Sequence, residues 1–276
     1  MKIIRPNAIE LKQTDLFKHI ELCGRTCYKS ENKITEDSHI RFVNMLKEHA
    51  HGAMLEHGTV YLTVPHYNDR DDEGKLLENQ YVVLIRNKYT KVNYDYNNGG
   101  MSGTAYITTN YRVIVENTLE DLFNKYAVNE PSDLHYKRRT FKITCNRGVS
   151  HEFVRHRVFS FAQESQRYCN YSKDKFSNKI KFIEPNVLSF NSCDDMSSYL
   201  VWKKSCEDAE KAYFWLLENG ATPQEARDVL PNATATELIM TGFESDWDHF
   251  FELRCAKDAH PQAQEIANMI KDLFTL

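Results

Sequence analysis

The chain has 276 residues and a formal net charge of −4, with 27% charged and 41% hydrophobic residues. That length can bury one large core or two small ones, and the small acidic excess argues against a surface built to coat nucleic acid. Seven cysteines, at 23, 27, 145, 169, 193, 206 and 255, form no CxxC pair, so neither a zinc knuckle nor a disulfide framework is indicated. The opening MKIIRPNAIELKQ lacks the apolar core of a signal peptide, and nowhere do about 18 apolar residues run together. A cytoplasmic protein with no membrane association is expected.

In chain order, Ile40, Val43 and Leu46 share one face of an amphipathic helix over Asp37–His49. Thr59–Val64, Gln80–Arg86, Ala105–Val115 and Arg139–Cys145 are β-branched and predict strands. The polar stretches HYNDRDDEGK and NYDYNNGGMSG between them predict loops, and Gly99-Gly100 lacks the spacing of a dinucleotide fingerprint. Further on, Tyr199, Trp202, Cys206, Ala209, Tyr213, Leu216 and Leu217 recur at helical spacing up to a stop at Gly220. Thr222-Pro223-Gln224-Glu225 has the form of a capping box opening a short helix that Pro231 limits. A strand over Thr234–Gly242 and helices over Asp246–Ala256 and Pro261–Phe274 close the chain. Without regular βαβ alternation, this order predicts an α+β fold, a mainly antiparallel sheet packed with long helices in a single domain.

The densest chemistry lies at Arg155-His156-Arg157, followed within ten residues by Gln163, Ser165 and Arg167. Guanidinium forks match phosphate oxygens in two-point contacts, and the amide and hydroxyl suit a uracil-like ring. His151-Glu152 tempts one towards a zinc HExxH helix, but the second His sits at i+5, roughly 140° round from His151. No metal site is expected. Arg254 follows Trp247, Phe250 and Phe251 on one helical stripe, so it is either paired with a carboxylate or placed at a ligand. Arg227, before Leu230-Pro231, is a weaker case of the same kind. The run from His51 to Glu56-His57 offers a ligand edge or a metal-binding cluster.

These residues resemble the flavin-dependent thymidylate synthase family. Its Arg-His-Arg-x7-Ser signature is met by Arg155–Arg157 and Ser165, and its His-x-x-x-x-Glu-His segment by His51 and Glu56-His57. Arg227 with Leu230-Pro231, and His249-Phe250 with Leu253-Arg254, are similar to two further landmarks in the same order. Relative to the smallest members, residues from about 66 to 136 read as an insertion.

The resemblance implies methylation of dUMP to dTMP. Methylenetetrahydrofolate would be the carbon donor, and FAD, reduced by NADPH, the hydride carrier. It implies a homotetramer with active sites at subunit interfaces, and no nucleic-acid or membrane partner. By the same resemblance Arg155, His156, Arg157, His249, Glu56 and His51 bind FAD. Gln163, Glu164, Ser165, Gln166, Arg167, Arg227 and Arg254 surround dUMP, with Arg254 stabilising uracil ionised at N3. The unrelated cysteine-dependent synthase uses a Cys that follows Pro, and no Pro-Cys pair exists here, so no cysteine nucleophile is expected. The chain departs from many members at Glu152, Gln163 and around Phe243 and Ser245. A nucleic-acid-binding module using the arginine cluster, or another flavin or nucleotide enzyme on the same scaffold, are the rival readings.

Overall fold

The computed structural model describes residues 1–67, 81–96, 102–173, 176–186 and 193–275. Strands β1 (Lys2–Ile4) and β2 (Asn7–Glu10) lead into helices α1 (Leu16–Tyr28), α2 (Ser38–Glu48) and α3 (Gly52–Leu55). The middle of the chain holds β3 (Thr59–Tyr67), α4 (Val82–Ile85), β4 (Lys91–Tyr96), β5 (Ser102–Asn110), α5 (Tyr111–Glu116), α6 (Glu120–Tyr126) and β6 (Ala127–Val128). Then come β7 (Arg138–Asn146), α7 (Arg147–Phe153), β8 (Ser160–Gln163), β9 (Lys181–Ile183), α8 (Cys193–Glu218) and α9 (Pro223–Ala226). Strand β10 (Ala235–Phe243) and helices α10 (Glu244–Arg254) and α11 (Pro261–Asp272) end it.

The sheet that positions the site has the order β2-β7-β10-β8 and is antiparallel throughout. Side chains alternate across a strand, so the register Leu238↔Ile143 and Met240↔Phe141 aligns one apolar face. That face packs on Trp247 and Phe250 of α10 and on Ile266 and Ile270 of α11, all buried. Each such side chain contributes about 1.5–3 kcal/mol of burial. The opposite face carries Thr140, Ile239 and Thr241 against α1. There a buried chain of hydrogen bonds runs His19–Thr140–Thr241–His57, with steps of 3.2, 2.9 and 2.8 Å. A second antiparallel sheet, β4-β5-β3-β6, has its own apolar core around Leu62, Ile107 and Ile114. Strands β1 and β9 form a separate parallel pair. The expected α+β architecture with mainly antiparallel sheets is what the chain adopts.

The helix over Asp37–His49, the strands at Thr59 and Arg139, and the last three elements fall where the pattern places them, within three residues at their ends. Gly220 has φ +91 and follows α8, supplying the left-handed stop without a Cβ penalty. The Thr222 capping box is fully formed, with Pro223 at the first helical position, and α9 passes directly into a 3-10 turn over Arg227–Val229.

Four expectations are corrected. Of the strand expected over Gln80–Arg86, Val82–Ile85 is a helical turn, with Leu84 buried in the second core. Of the strand expected over Ala105–Val115, only the part to Asn110 is extended. The Asn110 side chain accepts from Val113 N at 3.1 Å and starts α5 at Tyr111. In both places a local cap or tertiary packing outweighs the strand propensity of β-branched residues. Within the loop expected over NYDYNNGGMSG, residues 93–96 and 102–103 pair as strands, with Tyr96 opposite Gly103; Gly99-Gly100 lies outside the described residues. The other expected loop, from His66, is strand at His66 and Tyr67, and its remainder also lies outside them.

Candidate active site

Helix α7 organises the site. Its N-cap, Asn146, accepts from Val149 N at 2.7 Å and donates to Gln262 Oε1 of α11 at 2.5 Å, so the strand-to-helix turn is held from both sides. The Arg147 backbone N–H donates to Asn232 O at 2.9 Å and Thr234 O at 3.1 Å. The loop after Pro231 is thereby fastened beside α7, and Arg227 comes with it.

A cleft of about 330 Å³ results, lined by Arg147, His151, Gln166, Arg227 and the Asp228–Asn232 loop. Burial holds the Arg147 guanidinium below its ordinary pKa, against an opposing pull from Tyr171, with repulsion from Arg227 adding to the lowering. The Arg147 side chain has no ion pair or hydrogen bond among the described residues, and the nearest carboxylate to Arg227 is the exposed Asp228 at 4.0 Å. Gln166 is 9% exposed and its Nε2 is buried without a hydrogen-bond partner. Two guanidiniums, an imidazole and an unused amide donor thus converge on one open volume. That donor set fits a phosphate dianion.

Gln163 and Glu164 leave β8 on opposite faces, as the pleat requires. Gln163 turns towards α7 and donates to Ser150 Oγ at 2.9 Å and Thr236 Oγ1 at 3.3 Å. Glu164 turns the other way and is buried in a separate cavity of about 150 Å³ with Lys29, Tyr171 and Glu237. Its carboxyl accepts from Tyr171 OH at 3.1 Å, and burial raises its pKa. The alternation of the strand therefore turns Glu164 to the face opposite Gln163, where Tyr171 meets both it and Gln166. Arg167 is exposed beside Tyr168 and donates to Gln224 Oε1 at 3.1 Å. The backbone of Ser165 ties this turn to α1 through Cys27 O at 2.9 Å.

Arg254 occupies a second arginine group. Its Nη1 donates to Glu152 Oε2 at 2.6 Å, its Nη2 to Glu152 O at 2.9 Å and its Nε to His156 Nε2 at 2.9 Å. That uses three of the five guanidinium N–H bonds and leaves two. Because His156 accepts on Nε2, its proton sits on Nδ1. Burial, the Arg254 charge and His249 together push the His156 pKa down to about 4, so the ring is neutral at pH 7. The carboxylate that allows Arg254 on an apolar stripe is therefore Glu152, one residue after His151.

Arg155 and Arg157 flank the buried His156, are both exposed, and have no ion partner among the described residues. His249 stands with its ring 6.4 Å from that of His156 and meets Glu252 at 3.2 Å. These residues form one edge: two unneutralised guanidiniums beside a neutral imidazole, a donor set that fits the diphosphate of a dinucleotide cofactor. His51 and Glu56 stand apart from it; no hydrogen bond or ion pair among the described residues joins them to Arg155–Arg157. Glu56 is held by Arg112 of α5 at 2.6 Å, and His51 packs towards His49. Among the described residues no group of three or more His, Cys, Asp or Glu side chains could hold a metal ion.

Arg147 and its helix escaped the sequence reading. A signal was present: Arg147, His151 and Arg155 recur every four residues, and Asn146 is a good N-cap. Fold and site together define an α+β protein with a preformed anion cleft and a second, internally paired arginine. The chain belongs to the thymidylate synthase complementing protein family, whose model matches residues 102–275. That match begins inside the segment read as an insertion.

Among curated relatives, the flavin-dependent thymidylate synthase of Geobacter sulfurreducens is 32% identical over 142 residues, 51% of this chain and 58% of that one. The flavin-dependent thymidylate synthase of Pyrococcus furiosus is 30% identical over 162 residues, 58% of this chain and 64% of that one. The chain thus spans less than two thirds of the length of the relatives it matches. A UMP/dUMP methylase from Streptomyces cacaoi, solved with 5-Br dUMP, aligns over all of this chain and 92% of that one, at 14% identity and a TM-score of 0.49. A likeness that loose says nothing of chemistry.

Proposed function

We propose that this chain is a flavin-dependent thymidylate synthase that methylates dUMP to dTMP, and that the cleft between Arg147 and Arg227 takes the nucleotide phosphate. The observation carrying this is the pair of guanidiniums on one cleft, where the only ion partner among the described residues is the exposed Asp228 at 4.0 Å from Arg227, with the unpartnered Gln166 Nε2 at their side. Like charges so placed repel unless a dianion joins them. Gln163, Ser165, Gln166 and Arg167 come from the segment beside that cleft and position the sugar and base.

Arg254 meets the base. Glu152 and His156 fix the plane of its guanidinium, so the two remaining N–H bonds are oriented before substrate arrives. A preoriented cation in a partly dry site stabilises negative charge developing at uracil N3, which makes C5 nucleophilic towards the one-carbon unit of methylenetetrahydrofolate. Arg155, His156 and Arg157, with His249, hold FAD through its phosphates, and His51 and Glu56 complete the cofactor edge. When bound, FAD supplies the hydride, and NADPH restores it.

No cysteine serves as nucleophile. Burial pushes Cys145 up to about 12 and Cys27 and Cys206 up to about 11, which keeps these thiols protonated. Val154 and Val158 are exposed next to Arg155 and Arg157, and Leu253 is exposed beside Arg254, which supports a homotetramer in which a second copy covers this face and brings His51 and Glu56 to the cofactor. The protein is cytoplasmic and acts on small molecules, with no nucleic-acid or membrane partner; no helix among the described residues is long and apolar enough to cross a membrane. Residues from about 66 to 136 are an insertion on this scaffold.

The test is direct. The purified protein should be yellow, and dUMP should perturb its flavin spectrum. A colourless protein that cannot be reconstituted with FAD would contradict the assignment.

A further inference from the structure

We propose that Tyr171 is a positioning residue, clasping the loop that carries Ser165, Gln166 and Arg167, and that Glu164 acts through it rather than on substrate. The inference rests on the reading of that loop as the nucleotide-binding segment. The loop leaves β8 at Gln163 and must return towards β9, and its two ends are joined by one side-chain bond, Tyr171 OH to Glu164 Oε1 at 3.1 Å. Both partners are buried, at 6% exposure each.

Each partner is itself fixed. The Glu164 backbone N–H donates to Glu237 O at 2.8 Å, extending the β8 ladder by one residue. Its second carboxylate oxygen faces Lys29 at 3.9 Å, and Lys29 also pairs with Glu237. On the other side the Tyr171 ring packs against Phe176 at 5.1 Å and Tyr213 at 5.7 Å, while its backbone N–H donates to Tyr213 OH at 3.4 Å. Sheet and helix α8 therefore hold the two jaws.

Gln166 sits inside this clasp. Its carboxamide lies beside the Tyr171 hydroxyl, and its Nε2 is buried with no completed hydrogen bond. A buried amide donor left without a partner is costly, and only a loop held from outside keeps it aimed at the cleft it lines with Arg147 and Arg227. Glu164 leaves β8 on the face opposite Gln163, and its one side-chain hydrogen bond among the described residues is to Tyr171.

The experiment uses the flavin-loaded enzyme and measures the dUMP dissociation constant by calorimetry alongside KM and kcat. Tyr171→Phe removes one oxygen and keeps the ring packing. It should weaken dUMP binding and raise KM roughly three- to tenfold, the weight of one hydrogen bond, with kcat within about twofold. Glu164→Gln keeps an acceptor oxygen for Tyr171 and should stay near wild type. Glu164→Leu should match Tyr171→Phe, and the double variant should be no worse than either. Wild-type dUMP affinity in Tyr171→Phe overturns the clasp, as does a Glu164→Gln variant as impaired as Glu164→Leu. Arg227→Ala separates the two layers: loss of dUMP binding there with none in Tyr171→Phe overturns the clasp alone, whereas wild-type affinity in both overturns the cleft reading as well.

Discussion

Helix α7 serves two arginine groups that are built in opposite ways. Glu152 neutralises Arg254 within the chain, by a 2.6 Å ion pair and a backbone contact. One turn earlier on the same helix, Arg147 shares a cleft with Arg227, and the only ion partner of either among the described residues is the exposed Asp228 at 4.0 Å. A paired arginine is oriented in advance and changes little when a ligand comes, so its contribution lies in direction. An unpaired couple stores repulsion that an anion relieves, so its contribution lies in affinity. The contrast separates binding from turnover by residue.

The largest expected effect is on the unpaired group. Arg147→Ala or Arg227→Ala should weaken dUMP binding by about two orders of magnitude, since each removes a charge-assisted contact to a dianion. Calorimetric titration checks this, and an unchanged affinity in both variants would erase the distinction between the two groups.

Next in size is the acid side of stability. Burial holds His19 at about 4 and His57 at about 3, both below the unfolded value of 6.5. The folded state keeps these rings neutral while the unfolded chain takes up protons below pH 6.5. Their contribution is complete above that pH and is lost as pH falls from 6.5 towards about 4. By pH 5 each should cost about 2 kcal/mol, visible as a drop in Tm between pH 7.5 and 5 that shrinks in His19→Gln.

The paired group should respond differently. Glu152→Ala frees the Arg254 guanidinium to wander and should lower kcat about tenfold while dUMP affinity holds within about threefold; Glu152→Gln, which retains an oxygen acceptor, should recover most of it. A loss of affinity instead of turnover would merge the two groups. Smallest of all is Arg167→Ala, an exposed side chain bonded only to Gln224, which should shift the Tm of the ligand-free protein by about one or two degrees at most.

Much of this was legible in the sequence wherever a residue has only one way to act. Thr222, Pro223 and Gly220 announce a capped helix and a left-handed stop, and both are present. Arg254 on an aromatic stripe demanded a partner, and Glu152 is that partner. The segments that misled are those where local preference competes with context. Tyr111–Val115 looks extended until Asn110 caps a helix there, and Val82–Ile85 turns to bury Leu84. Arg147 was hidden for a related reason. Its helix is short and opens at the end of a strand, where Asn146 caps Val149 N and is itself held by Gln262 of α11. Glu164 leaves β8 opposite Gln163 and bonds Tyr171, an orientation set by a register that sequence alone does not give.

A phosphate dianion bound between Arg147 and Arg227 is tested most plainly by two ligands that differ only in that phosphate. Titrating the flavin-loaded protein with dUMP and with deoxyuridine should give an affinity about two orders of magnitude tighter for dUMP. Equal affinities for the two would contradict the claim.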